Sequence, residues 1–214
     1  MDTTGTEPDR RRPLRAALLL AAAAVVTVGL VAIVNDLARP RIEANERAQR
    51  VAQLAEVLSG TGYDNDLLQD VVTVRDAGRL GTDESLPVYR ARQAGQPVAA
   101  ILTAVAPDGY AGSIRLLVGI SADGRLLGVR VVAHRETPGL GDAIDERKST
   151  WIDGFIGRSL GDPAPERWQV RKDGGDFDQF TGATVTPRAV VRAVLNALTY
   201  FEANRATLLA AQQS

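Results

Sequence analysis

The strongest constraint on this chain is a series of short strand-like stretches, 71–75, 87–92, 98–105, 113–120 and 126–133, separated by turn signals. Gln93-Ala-Gly-Gln, Pro107-Asp-Gly and Ala122-Asp-Gly-Arg supply the glycine, proline and aspartate that tight turns use. Connections this short leave no room for a parallel crossover, so an antiparallel meander is expected. Helical patterns lie before and after it. The expected fold is therefore α+β, an antiparallel sheet with flanking helices.

The N-terminal part cannot belong to that sheet. From 16 to 35 no side chain is charged, and the run Ala-Ala-Leu-Leu-Leu-Ala-Ala-Ala-Ala-Val-Val continues to Val34. That length suits one transmembrane helix and exceeds the apolar core of a cleaved signal peptide. The expected organisation is a polar tail over 1–13, a membrane span over 14–35, an amphipathic connecting helix over 36–60 and a domain over 61–214. In the connecting helix Ala48, Val51, Leu54, Ala55 and Leu58 recur at helical spacing until Gly60 and Gly62 break the pattern. Arg10, Arg11, Arg12 and Arg15 precede the apolar run and Arg39, Arg41, Arg47 and Arg50 follow it, so the positive-inside count is nearly balanced. Arg12 and Arg15 abut the run closely while Asp36 stands at its far end, which points to a cytoplasmic N-terminus.

Composition removes several classes of function. With no cysteine there is no disulfide, no Cys-ligated iron–sulfur cluster and no thiol redox chemistry, and a single histidine argues against a His-rich metal site. A net charge of −1 gives no electrostatic footprint for nucleic acid. Gly-x-Ser-x-Gly, P-loop and Rossmann patterns are missing too, so hydrolase and kinase readings fail. A redox protein of this composition needs an organic or borrowed cofactor.

The stretch Asp178-Gln-Phe-Thr-Gly-Ala-Thr184-Val-Thr-Pro-Arg reads as a loop entering a helix. Thr186 is expected to cap the helix, with Pro187 at the first helical position. Val190, Val194, Ala197, Leu198 and Phe201 should face a core and Arg188, Arg192 and Asn196 water. Thr184 then lies at a helix N-terminus, where free N–H groups and the macrodipole favour a phosphate. Gly182 and Ala183 let a ligand approach the backbone. On this pattern alone, an ordinary capped helix after a turn is an equal reading.

Resemblance separates the two. Asp178-x-x-Thr181-Gly182-Ala183-Thr184 resembles the recognition motif of the FMN-binding domain family, whose last threonine carries FMN through a phosphoester bond made by a separate flavin transferase. By that resemblance Thr184 is the attachment point, and Asp178, Thr181, Gly182, Ala183 and the adjoining Val185 surround the cofactor. Thr181 stands where the family often has serine. Gly109-Tyr-Ala-Gly112 is similar to a family segment that lies near the flavin, implying a contact from Tyr110. By residue type alone, a core position for Tyr110 is the commoner outcome.

His134-Arg-Glu-Thr-Pro-Gly-Leu-Gly-Asp142 resembles the family's His-x-Glu-Thr-Pro-Gly-Leu-Gly signature. Glu136, Thr137 and the backbone of Gly139 and Gly141 could meet the polar edge of an isoalloxazine, with Leu140 as an apolar platform. His134 reads more readily as a hydrogen-bonded structural residue than as a proton donor, and Glu136 with Asp142 as solvated or capping carboxylates. Beyond them a helix from Asp142 leading to an aromatic cluster of Trp151 and Phe155, and a strand over 168–170, are expected.

Together the three stretches resemble RnfG/RsxG, the G subunit of the Rnf/Rsx ion-translocating electron transport complex. The resemblance implies a flavoprotein component, not catalytic alone, that relays electrons through covalent FMN. Its implied partners are the other subunits of the complex, the flavin transferase and the lipid bilayer, with no nucleic acid. It places the protein in the cytoplasmic (inner) membrane as a single-pass chain whose C-terminal domain is extracytoplasmic. Three alternatives remain beside it: the homologous flavin subunit of a sodium-pumping quinone reductase, another membrane-anchored respiratory flavoprotein, and a non-redox assembly or binding subunit.

Overall fold

The computed structural model describes residues 11–58 and 60–210, the side chains of 11–19, 22 and 23 excepted. The chain divides into two compact units, one up to Arg50 and one from Val51.

Helix α1 (Arg11–Glu56) runs without interruption past Pro40. One helix covers both the expected span over 14–35 and the expected connecting helix over 36–60, with no break between them, and it stops at Glu56 rather than 60. The expected tail is likewise shorter, since Arg11–Pro13 already belong to the helix, while 1–10 lie outside the described residues. In the first unit Leu20, Val25, Val26, Val28 and Leu30 are all exposed. Among the described residues no helix is long and apolar enough to cross a membrane, and the start of the uncharged run falls on side chains outside that set.

In the second unit the strands are β1 (Val71–Val74), β2 (Leu86–Gln93), β3 (Gln96–Ala106), β4 (Ile114–Ser121) and β5 (Leu126–Ala133). They form one sheet in the order β1-β2-β3-β4-β5, every pair antiparallel. Ala94 (φ 50) and Gly95 (φ 76) both adopt left-handed backbone, as the tightest hairpin between β2 and β3 requires. One element escapes sequence reading: helix α2 (Ala77–Leu80), where Asp76 accepts the Arg79 N–H at 2.9 Å and Gly81 (φ 75) ends the turn.

Period-2 alternation sends Ala100, Leu102, Ala104 and Ala106 of β3 to one face of the sheet and Ala99 and Ile101 to the other. The first face is covered by helix α3 (Val185–Leu208) through Val190, Val194, Ala197, Leu198 and Phe201, all buried, as the helical spacing predicts. Arg188 and Arg192 are exposed on its outer side. The second face is covered by Leu54, Val57 and Leu58 with Leu67. Here Gly119 and Gly128 pair across β4 and β5 directly under Val57. A Cβ on Gly119 would stand 2.0 Å from the Val57 carbonyl oxygen, so the glycine marks a close backbone approach.

After β5 the expected helix from Asp142 is replaced by two 3-10 segments, Gly141–Ile144 and Thr150–Phe155. The Asp145 carboxylate accepts the Arg147 N–H at 3.0 Å, a local bond that competes with helix continuation. Trp151 and Phe155 do meet edge to face at 5.4 Å, and Phe155 stacks on Phe177 at 4.7 Å. The expected strand over 168–170 is a single bridge from Val170 to Phe177. Pro165–Arg167 form a 3-10 turn that runs into Trp168, whose indole N–H donates to the Pro163 carbonyl at 3.1 Å.

Candidate functional site

The three sequence stretches converge at the N-terminal end of α3. Tyr110, Glu136, Thr137, Leu140, Gly141, Gly182, Ala183, Thr184, Val185 and Thr186 line a cavity of about 260 Å³. Asp178, Thr181 and Gly139, also expected there, do not line it and are exposed. Asp178 pairs with Arg171 at 3.0 Å, and its carbonyl accepts the Trp151 indole N–H at 2.8 Å. Gly139 donates its N–H to Asp142 at 2.7 Å, so it shapes the loop from behind.

The loop after β5 builds one wall. The Thr137 carbonyl accepts the N–H groups of Leu140 and Gly141, each at 3.1 Å, which folds the Pro-Gly turn back on itself. His134 has the structural role, its Nδ1 accepting the Glu136 N–H at 3.1 Å. Glu136 and Asp142 are both buried rather than solvated. The Glu136 carboxylate accepts the Ala111 N–H at 3.0 Å and the Thr186 hydroxyl proton, tying the Tyr110 loop to the first turn of α3. Gly141 fits because a Cβ there would lie 2.9 Å from both Glu136 Oε2 and Thr186 Oγ1.

The opposite wall is the motif turn. Ala183 donates its N–H to the Phe180 carbonyl at 3.2 Å, with Gly182 at φ 81 between them. Thr184 occupies the N-cap position, but its side chain makes no capping hydrogen bond. This corrects the expectation for Thr186, which lies inside the helix with its hydroxyl on Glu136, and for Pro187, which is third in the helix rather than first. Pro187 remains compatible there because the first-turn N–H groups have no intrahelical partner. Two threonine hydroxyls thus face different fates: Thr186 is fully buried and bonded, Thr184 half-buried and uncapped. Thr186 is the site residue that sequence reasoning misplaced.

Apolar surface rings the opening. Tyr110 is 72% exposed, Leu140 46% and Val185 44%. Tyr110 is therefore no core residue. Charge at the motif end comes from Arg188, whose guanidinium holds two bonds of 2.5 and 2.6 Å to Asp173 and keeps that carboxyl below the usual range.

Relatives identify the family. A model of the RnfG N-terminal region matches residues 11–57 and one of the FMN-binding domain matches 109–199, which spans the whole cavity. The G subunit of the ion-translocating oxidoreductase complex of Pseudomonas aeruginosa (strain UCBPP-PA14) is 57% identical over 205 residues, covering 96% of each chain. The chain belongs to the RnfG family, the G subunits of ion-translocating oxidoreductase complexes. Another RnfG-family protein, the G subunit from Shewanella baltica (strain OS223), is 50% identical over 190 residues, 89% of this chain and 90% of its own. The fold also matches the crystal structure of the C subunit of the Na(+)-translocating NADH-quinone reductase from Parabacteroides distasonis, with a TM-score of 0.54 at 20% identity, covering 82% of this chain and 98% of that one.

Proposed function

We propose that this chain is the flavoprotein subunit of a membrane-bound ion-translocating electron transport complex, carrying FMN on Thr184 through a phosphoester bond. One observation carries the reading: the Thr184 hydroxyl, uncapped, stands at the N-terminus of a 24-residue helix beside the cavity. Free N–H groups and the positive end of the macrodipole at that point suit a phosphoryl group.

The residues present fit the rest of the cofactor. Tyr110, Leu140 and Val185 offer apolar surface to a flat ring, and the Gly182 backbone lines the cavity without a side chain. The cavity is smaller than the roughly 300–1,000 Å³ that encloses a whole ligand. A ring held there would be only partly enclosed, which would suit exchange with a redox partner. When bound, FMN supplies the electron-carrying chemistry. The chain's own residues fix the phosphoryl end, support the ring and orient it; Thr184 is an attachment point and not a catalyst.

The finer parts of the proposal are membrane and partners. The uncharged run over 16–35, at the start of α1, acts as a single-pass anchor in the cytoplasmic membrane, with the N-terminus cytoplasmic and the 61–214 domain outside. The other subunits of the complex deliver and accept electrons, and a flavin transferase makes the phosphoester. RnfG-family relatives at 57% and 50% identity support this complex over the sodium-pumping one.

Intact mass of the full chain from a host with the transferase, with peptide mapping around Thr184, tests it. A gain equal to FMN less one water, mapped to Thr184 and lost in Thr184→Val, is expected. An unmodified mass in such a host would overturn the proposal and favour an assembly role.

A further inference from the structure

Glu136 lines the cavity as a carboxylate only 4% exposed, and among the described residues no arginine, lysine or histidine forms an ion pair with it. Its two oxygens are held by neutral donors, Oε1 by the Ala111 N–H and Oε2 by the Thr186 hydroxyl. The backbone N–H can only donate, and Thr186 sits in the first turn of a 24-residue helix. One bond on each oxygen to the chain's own donors fixes Glu136 in the cavity wall. What it contributes there is an unneutralised negative charge in a low-dielectric wall.

We propose that Glu136 is a positioning residue that lowers the reduction potential of the flavin held at this site. The inference rests on the flavoprotein reading. Two-electron reduction at neutral pH with uptake of one proton adds one net negative charge to the ring. A fixed negative charge in the cavity wall opposes that addition and favours the oxidised state. Gly141 and Gly109 preserve the arrangement. A Cβ on either would come within 2.9 Å of a Glu136 oxygen.

The test uses the full chain, flavinylated in a host with the transferase, and reads three quantities: mass, visible spectrum and midpoint potential by dithionite titration against indicator dyes. Glu136→Gln and Glu136→Met remove the charge at similar size, and Glu136→Asp retains it. At a fixed ambient potential the neutral variants should shift the reduced-to-oxidised ratio about tenfold or more toward reduced. That is about 30 mV for a two-electron couple. Glu136→Asp should stay nearer the wild type. Flavin attached to a neutral variant with an unchanged potential would overturn the inference. So would a pattern in which both neutral variants fail to load while Glu136→Asp loads, because the carboxylate would then serve placement alone. A wild-type chain that carries no flavin would instead refute the flavoprotein reading, before any variant is compared.

Discussion

The two walls of the cavity are built to opposite specifications. The wall after β5 is braced from within: the Thr137 carbonyl accepts three N–H groups, from Leu140, Gly141 and Asp142, the Asp142 carboxylate accepts one from Gly139, and Glu136 binds both the Tyr110 loop and α3. The motif turn is held across its own span by one backbone bond from Ala183 to Phe180, and Thr181 and Gly182 stand exposed. A wall that shapes a ligand benefits from rigidity. A segment that must present a hydroxyl for covalent modification benefits from access. On the proposed flavoprotein reading the difference separates shaping from attachment, with Thr184 on the accessible side.

Breaking the attachment side should give the largest effect. Thr184→Val keeps the size and removes the hydroxyl, so flavin incorporation should fall to background while the apo fold melts as the wild type does. Incorporation that persists, mapped to Thr181 or Thr186, would place the attachment function elsewhere on the turn. Breaking the braced side should act on stability instead. In Gly141→Ala the new methyl meets Glu136 Oε2 and Thr186 Oγ1 at 2.9 Å, and neither is a loose chain end because they bond each other. The expected loss is about 2 kcal/mol, read by urea unfolding of the apo form; an unchanged midpoint would mean that the wall is softer than its bonding suggests.

The same substitution on the motif side sharpens the contrast. A Cβ at Gly182 meets only Leu140 Cδ2 at 3.7 Å, an ordinary contact, so Gly182→Ala carries just the cost of left-handed backbone at φ 81. That cost is roughly 1 kcal/mol. Equal losses for Gly141→Ala and Gly182→Ala would erase the distinction between a braced and an open wall.

The sheet was legible because each strand alternates and each turn carries glycine, aspartate or proline, signals confined to a few neighbouring residues. The buried face of α3 was legible for the same reason. Thr186 was not: a threonine before proline reads as a cap, and the residue that overrides this reading, Glu136, lies 50 positions away. Tyr110 shows the same limit, since nothing local separates a core tyrosine from one 72% exposed at a cavity rim. Helix α2 is a single turn and has no periodicity to find. Around Asp145, side-chain bonds two residues ahead displaced the helix that composition favours. Local patterns survived where packing agreed with them and failed where a long-range or side-chain bond decided.

The smallest effect lies behind the braced wall, where Asp145 follows the 3-10 segment. Arg147 donates to it from Nε at 3.0 Å and from a terminal nitrogen at 2.5 Å, and these bonds hold the Asp145 carboxyl down to about 2. A depressed carboxyl favours the folded state above its ordinary value near 4 and loses that advantage as pH falls toward 2. Because Arg147 is 82% exposed, solvent screens the pair, and Arg147→Ala should lower stability only slightly at neutral pH. The difference between variant and wild type should then shrink as pH drops from 4 to 2. A difference that grows with acidity would mean that Arg147 acts through packing rather than through the Asp145 charge. A neutral-pH loss as large as that of Gly141→Ala would extend the braced wall to the solvent surface.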